Sequence, residues 1–151
     1  MTRTKVLTAA WCAAFLLGVG GVAAASIASP LRLSARLTPG QEAPRQDFEV
    51  SNAAGKFSAT LKRSKNGYRM YWGLTFSALS GPATSAYIHK GGRGKRGIAY
   101  VFLCSPCLSG AHGNRLFPVY DLVLGRQGRM YVNVRTPKNP DGEIRGQIVV
   151  R

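Results

Sequence analysis

From residue 31 onward, apolar and polar side chains alternate. Leu31, Leu33, Ala35 and Leu37 are separated by Arg32, Ser34 and Arg36, the period of a half-buried strand. Thr38-Pro39-Gly40 breaks that run. The stretch from Gln41 to Asn52, with Pro44 and the acids Glu42, Asp47 and Glu49, reads as an irregular connection. Alternation resumes at Gly55 to Lys62, with Phe57, Ala59 and Leu61 on one face. It continues at Tyr68 to Phe76, with Met70, Trp72 and Leu74 on one face. Asn66-Gly67 between these runs predicts a tight hairpin, because the turn needs positive φ. Further strands are expected at Thr84 to His89, Ile98 to Leu103, around Val119 to Leu124, at Met130 to Thr136 and at Glu143 to Val150. No segment after residue 30 shows convincing helical periodicity. Short strands separated by turn residues predict an all-β protein, an immunoglobulin-like, Greek-key antiparallel β-sandwich over residues 31–151.

The first 25 residues depart from this pattern. Arg3 and Lys5 precede an apolar run from Val6 to Ala25 that ends in Ala23-Ala24-Ala25. A charged start, an apolar centre and small residues at the end predict a signal peptide cleaved after Ala25, with a second candidate cut after Ala28. If it stayed uncleaved, the run has the length of a membrane anchor. The expected compartment is therefore secreted or periplasmic. Cleavage leaves a mature chain of about 126 residues, enough for one domain with a real core.

Charge changes the picture next. The chain carries 21 Lys+Arg against 6 Asp+Glu, a formal +15. Losing Arg3 and Lys5 leaves 21 − 2 cations against 6 acids, or +13. Such an excess favours acidic partners, such as anionic polysaccharide or lipid headgroups, or simply keeps the protein dissolved. Specific nucleic-acid binding finds no recognisable module. Two cysteines follow the leader, in Cys104-Ser-Pro-Cys107. In an exported chain this even count reads as a local disulfide. A zinc site would need a second pair of ligands, and thioredoxin-like chemistry expects the motif to open a helix.

Three segments resemble the CHRD (chordin) domain family. They are Leu33-Ser-Ala-Arg-Leu-Thr-Pro-Gly-Gln-Glu-Ala-Pro44, Leu79-Ser-Gly-Pro-Ala-Thr-Ser-Ala-Tyr-Ile-His89, and Tyr131-Val-Asn-Val-Arg-Thr136 with Asn139-Pro-Asp-Gly-Glu-Ile-Arg-Gly-Gln147. The resemblance spans nearly the whole chain after the leader, and the third segment is the most specific. It implies a secreted β-sandwich like the stand-alone bacterial members, and an interaction role like that of the animal members that bind extracellular growth factors. It implies no settled reaction.

The family pattern sets two histidines two residues apart on one strand and a third in Asn-Val-His-Thr. Residues so spaced share a strand face and suit copper or zinc. Here Tyr87 and Arg135 replace two of them and His89 remains. Arginine cannot ligate a cation. A metal-binding, superoxide-dismutase-like protein using His89 is thus the alternative reading, with His112 a second histidine of unknown placement. The departures leave His89 a hydrogen-bonded structural histidine and fit either a solvated basic loop with no ligand or an anion-binding surface. Such a surface would join Arg135 to the basic glycine-rich loop of Lys90, Arg93, Lys95 and Arg96, whose backbone N–H groups can also face an anion. No cofactor is expected, and the loop is not a phosphate-binding P-loop, since no Gly-x-x-x-x-Gly-Lys-Ser/Thr occurs. The motif Asn139, Pro140, Gly142, Glu143, Arg145 and Gly146 reads as structural: a turn, then two charged residues on one strand face that can pair with each other or with neighbours. No nucleophile–base arrangement or carboxylate pair is recognisable, so the expected role is a non-enzymatic binding module, with an extracellular protein as a further class of partner.

Overall fold

The computed structural model describes residues 30–44 and 52–151; the predicted signal peptide lies outside the described residues. Two antiparallel sheets pack face to face. The first has five strands: β1 (Leu31–Leu37), β2 (Ala54–Ser64), β3 (Gly67–Ser77), β6 (Ala111–Phe117) and β9 (Val149–Val150), in the order β6-β3-β2-β1-β9. The second has β4 (Ser85–Lys90), β5 (Ile98–Cys104), β7 (Met130–Arg135) and β8 (Ile144–Gln147), in the order β5-β4-β7-β8. After the β4–β5 pair in one sheet the chain returns as β6 beside β3 in the other, the Greek-key crossing. The sequence pattern thus predicts the sandwich that is found.

Alternation places the core. Leu33, Ala35, Leu37, Phe57, Ala59, Leu61, Met70, Trp72 and Leu74 point from the first sheet onto Ile88, Val132, Val134 and Ile144 of the second. Phe57, Met70, Leu74, Ile88, Val132 and Val134 are fully enclosed. Each such side chain contributes about 1.5–3 kcal/mol by leaving water. The predicted hairpin is present: β2 and β3 pair from Ala54↔Ser77 to Ser64↔Gly67, and Gly67 has φ 121. Cys104 and Cys107 form a disulfide with a Cα–Cα distance of 5.2 Å. It closes the loop after β5, where the Cys107 N–H donates to the Ala83 carbonyl.

Three expectations need correction. Val119 to Leu124 is not a strand but part of a helix, α1 (Val119–Arg126). Pro118 precedes it, Asp121 lies in its first turn and Arg126 in its last. Gly128, with φ 64, ends it: the Gly128 N–H bonds the Gly125 carbonyl and the Arg129 N–H bonds the Leu124 carbonyl. That pair of bonds is a Schellman cap. Buried Asp121, Leu122, Leu124 and Gly125 form its inner side, which alternation at Leu122 and Leu124 disguises as a strand. Second, β6 is unanticipated, since Ala-His-Gly-Asn-Arg-Leu-Phe carries little apolar signal. Third, Glu143 to Val150 is two strands, not one. β8 belongs to the four-stranded sheet and β9 to the five-stranded sheet, and buried Ile148 lies at the crossing.

That crossing forms a seam. The Thr38 N–H donates to the Arg145 carbonyl (2.9 Å) and the Arg145 N–H to the Thr38 carbonyl (3.2 Å), so β1 and β8 join the two sheets. Gly146 permits it, because the Arg36 backbone lies against its Cα.

Candidate functional site

The outward face of the four-stranded sheet is polar yet buried. Ile88, Val132 and Val134 face the core, so His89, Tyr131, Asn133 and Arg135 face the other way, and Arg145 of β8 joins them. Two segments cover this face. One is the turn after β1, which carries Glu42. The other is the glycine-rich loop between β4 and β5, where Lys95 N–H bonds the Gly92 carbonyl. His89, Glu42, Asn133 and Arg145 are all nearly sealed from solvent.

Ring stacking organises the face. The His89 and Tyr131 rings lie 4.7 Å apart and nearly parallel. The Arg145 guanidinium sits 3.4 Å from the Tyr131 centroid, so Tyr131 is stacked between an imidazole and a cation. Such a cation–π contact strengthens when it is desolvated. Arg145 also donates from Nη2 to the Gly92 carbonyl (2.8 Å), which ties the loop to β8. The Gly97 N–H donates to the Tyr131 hydroxyl (3.0 Å). Register shifts between β4 and β5 flank Tyr87 and His89, and such irregularities re-aim side chains.

Within this face lies a cavity of about 220 Å³. Glu42, His89, Arg96, Asn133, Arg135 and Asp141 supply its chemistry. The Gly97 carbonyl can only accept, so the His89 Nδ1 at 3.2 Å carries the proton. The Nε2 then offers a lone pair, buried and without a partner. Burial first, then the Arg135, Arg145 and Arg96 charges, hold the imidazole below its ordinary range, against the opposing pull of the Gly97 carbonyl. The Asn133 Nδ2 donates to both Glu42 oxygens (2.9 and 3.1 Å), which fixes the amide and leaves its Oδ1 unpaired. The Arg135 guanidinium lies 5.1 Å over the Tyr87 ring, and its Nε is buried and unpaired. Arg96 donates to Asp141 at 2.6 Å. Three residues that line the cavity thus each carry an unpaired buried polar atom, two acceptors and one cationic donor.

Glu42 is raised to about 7 by burial, with Arg145 and Arg135 opposing. A carboxyl whose folded pKa exceeds its unfolded value favours folding most at low pH. Its contribution falls as pH rises from about 4.5 towards 7. The Glu42→Gln protein is thus expected to gain on the order of 2 kcal/mol over wild type at pH 8, and nothing at pH 4. Urea unfolding at the two pH values measures this, and equal gains at both would refute the assignment.

The predicted anion residues do not all converge. Arg96 and Arg135 line the cavity; Lys90, Arg93 and Lys95 do not. The Lys90 ammonium sits 3.3 Å over the Tyr100 ring and 3.6 Å from Asp121. Arg93 and Lys95 are exposed. His112 stands on β6 of the other sheet, away from His89. Among the described residues no group of three His, Cys, Asp or Glu side chains could hold a metal ion, so the metal alternative gains no support. Glu42, Asn133, Tyr131 and Asp141 carry no sequence-predicted role. Their signal was their presence in the segments that suggested the family.

The structural motif forms a second polar cluster. Asn139 to Gly142 is a turn closed by the Gly142 N–H on the Asn139 carbonyl (3.1 Å). Pro140 is exposed at its second position. Gly142 has φ 146, and a Cβ there would collide with the Asn133 amide. Glu143 and Arg145 do not pair with each other. Glu143 precedes β8 and accepts from Ser80, Thr136 and Asn139, while Arg145 stacks on Tyr131.

A family model for the CHRD domain matches residues 33–148, most of the chain. No curated protein and no solved structure matches it.

Proposed function

The chain belongs to the CHRD domain family, and on that premise we propose that it is an exported, non-catalytic binding module whose cavity takes a small hydroxylated anion of the sugar-acid class. The observation that carries this reading is the set of unpaired buried atoms. The Arg135 Nε offers a charged donor, and the His89 Nε2 and Asn133 Oδ1 offer acceptors. A carboxylate would suit Arg135, since a guanidinium grips planar anions in bidentate fashion. The ligand's hydroxyls would donate to the two acceptors. Leaving buried polar groups unmatched costs stability, and a ligand that matches all of them recovers it. Glu42, raised to about 7, is about half protonated at neutral pH, which weakens its repulsion of an anion. The cavity equals about seven water volumes at ~30 Å³ each, enough for one small sugar acid. Export is supported by Arg3 and Lys5 before the apolar run that ends at Ala23-Ala24-Ala25.

Calorimetric titration of the mature protein with glucuronate, sulfate and glucose tests the reading. Glucuronate is expected to bind, sulfate more weakly, and glucose not at all. Arg135→Ala is expected to weaken glucuronate at least about tenfold, the loss of one charge-assisted interaction, without shifting the melting temperature. Equal affinity in the Arg135→Ala protein, or glucose bound as well as glucuronate, would overturn it.

A further inference from the structure

We propose that the outer face of the five-stranded sheet, opposite the cavity, docks a linear anionic polysaccharide. Inward Leu33, Ala35, Phe57, Ala59, Leu61 and Met70 fix the parity of the strands. The outward positions are therefore Arg32 and Arg36 on β1, Lys56 and Lys62 on β2, and Arg69 on β3, all exposed. Serine and threonine lie between them: Ser34 beside Ser58, then Thr60 and Thr75.

No described Asp or Glu side chain reaches this face. Glu42 and Asp141 line the cavity, Glu143 is enclosed by Ser80, Thr136 and Asn139, and Asp121 lies beside Lys90. Instead, like charges oppose each other directly. Arg36 pairs across strands with Lys56, and Lys62 with Arg69. Directly opposed like charges destabilise a sheet, so the arrangement works against the isolated fold. The side-chain contacts of Arg69 and Lys62 are with neutral groups: Arg69 donates to the Asn114 side-chain carbonyl, and Lys62 lies 5.1 Å over the Tyr71 ring. An open groove of about 790 Å³ continues the surface, with Arg36, Lys56 and Arg151 and the hydroxyls of Ser34, Thr75 and Ser77.

The spacing selects the partner. The two cationic pairs lie at opposite ends of β2, so Lys56 and Lys62 are about 20 Å apart at ~3.4 Å per residue. A single small anion cannot bridge that distance, whereas an extended chain with repeated charges can. The hydroxyls between the cations match sugar hydroxyls. Nucleic acid would call for a row of stacking aromatics, and among the described residues this surface offers only Tyr71, already covered by Lys62, and the half-buried Phe76 of the groove.

The test compares polygalacturonate, heparin, a single-stranded DNA oligonucleotide and phosphatidylserine vesicles as ligands of the mature protein. The expected result is tightest binding to one of the two polysaccharides, with affinity that falls steeply with salt as counterions are released. The Lys56→Glu/Lys62→Glu protein should lose roughly tenfold or more and show a shallower salt slope. Lys56→Gln/Lys62→Gln serves as the milder pair if charge reversal perturbs folding. Arg135→Ala should bind the polysaccharide as wild type does, which separates this surface from the cavity. Undiminished binding in both lysine variants, tighter binding to DNA or vesicles, or an equal loss in Arg135→Ala would overturn the proposal.

Discussion

Replacing Glu143 with alanine is expected to cost about 3 kcal/mol of folding stability, because it leaves the donors of Ser80, Thr136 and Asn139 unmatched. The carboxylate is buried, yet each of its oxygens is satisfied. The Ser80 N–H donates to one oxygen at 2.6 Å. The other receives the Ser80 hydroxyl at 2.6 Å, the Thr136 hydroxyl at 2.6 Å and the Asn139 amide at 3.0 Å. This single group thus fastens the segment after β3 to the turn between β7 and β8. Removing it strands the donors, and each unmatched buried polar group costs about 1–3 kcal/mol. Burial alone would raise this carboxyl, but the bonds from Ser80, Thr136 and Asn139 outweigh it and hold the pKa below the usual glutamate value. The sign follows. Its contribution is complete above the unfolded pKa of about 4.5 and is lost as pH falls through the lower folded value. Guanidinium unfolding of wild type and Glu143→Ala at pH 7 checks the magnitude. A loss below 1 kcal/mol would show that the cluster does not hold the fold.

The second large effect is steric. Gly146→Ala is expected to destabilise by about 3 kcal/mol, the upper end for overpacking. A Cβ at this position would meet the Arg36 carbonyl oxygen at 2.5 Å and the Leu37 nitrogen at 3.1 Å. Both are backbone atoms of a strand hydrogen-bonded on its two sides, so neither can turn away as a flexible side chain would. The cost falls on the Thr38–Arg145 seam, where the two sheets join. Because Arg145 supports Tyr131 and the Gly92 carbonyl, a displaced seam also loosens the wall of the cavity. Thermal unfolding followed by circular dichroism reads the effect, and an unchanged melting temperature would refute it.

The strands that build the core were legible because their side chains alternate between a buried and a solvated face, as Leu33 to Leu37 and Phe57 to Leu61 do. β6 was not, because its edge position needs few apolar residues. α1 escaped because Leu122 and Leu124 imitate a strand, although Arg126 and Gly128 carry a helix-stop signal. For the site, alternation correctly placed Tyr87, His89 and Arg135 on one face. It could not show that the turn carrying Glu42 folds across that face, because the two segments meet only through tertiary pairing. Nor could it show that Lys90 turns towards α1. That residue has the inward parity of Ile88 and finds Asp121 on a helix that the pattern did not reveal. The apparent pair Glu143 and Arg145 is split by the same kind of context, one residue serving the turn and the other the stacked face.

The most direct measurement is an NMR titration of the uniformly ¹⁵N-labelled protein, expressed from residue 26 onward, with glucuronate, following the His89 ring nitrogens and the backbone amides together. The account predicts a saturating shift of the His89 Nε2 as its lone pair accepts a hydroxyl, with amide shifts concentrated at Gly97, Ala99 and Asn133 around the cavity. An unmoved His89 ring, with amide shifts confined to β1, β2 and β3, would place the anion on the basic sheet face and contradict the cavity as the ligand site.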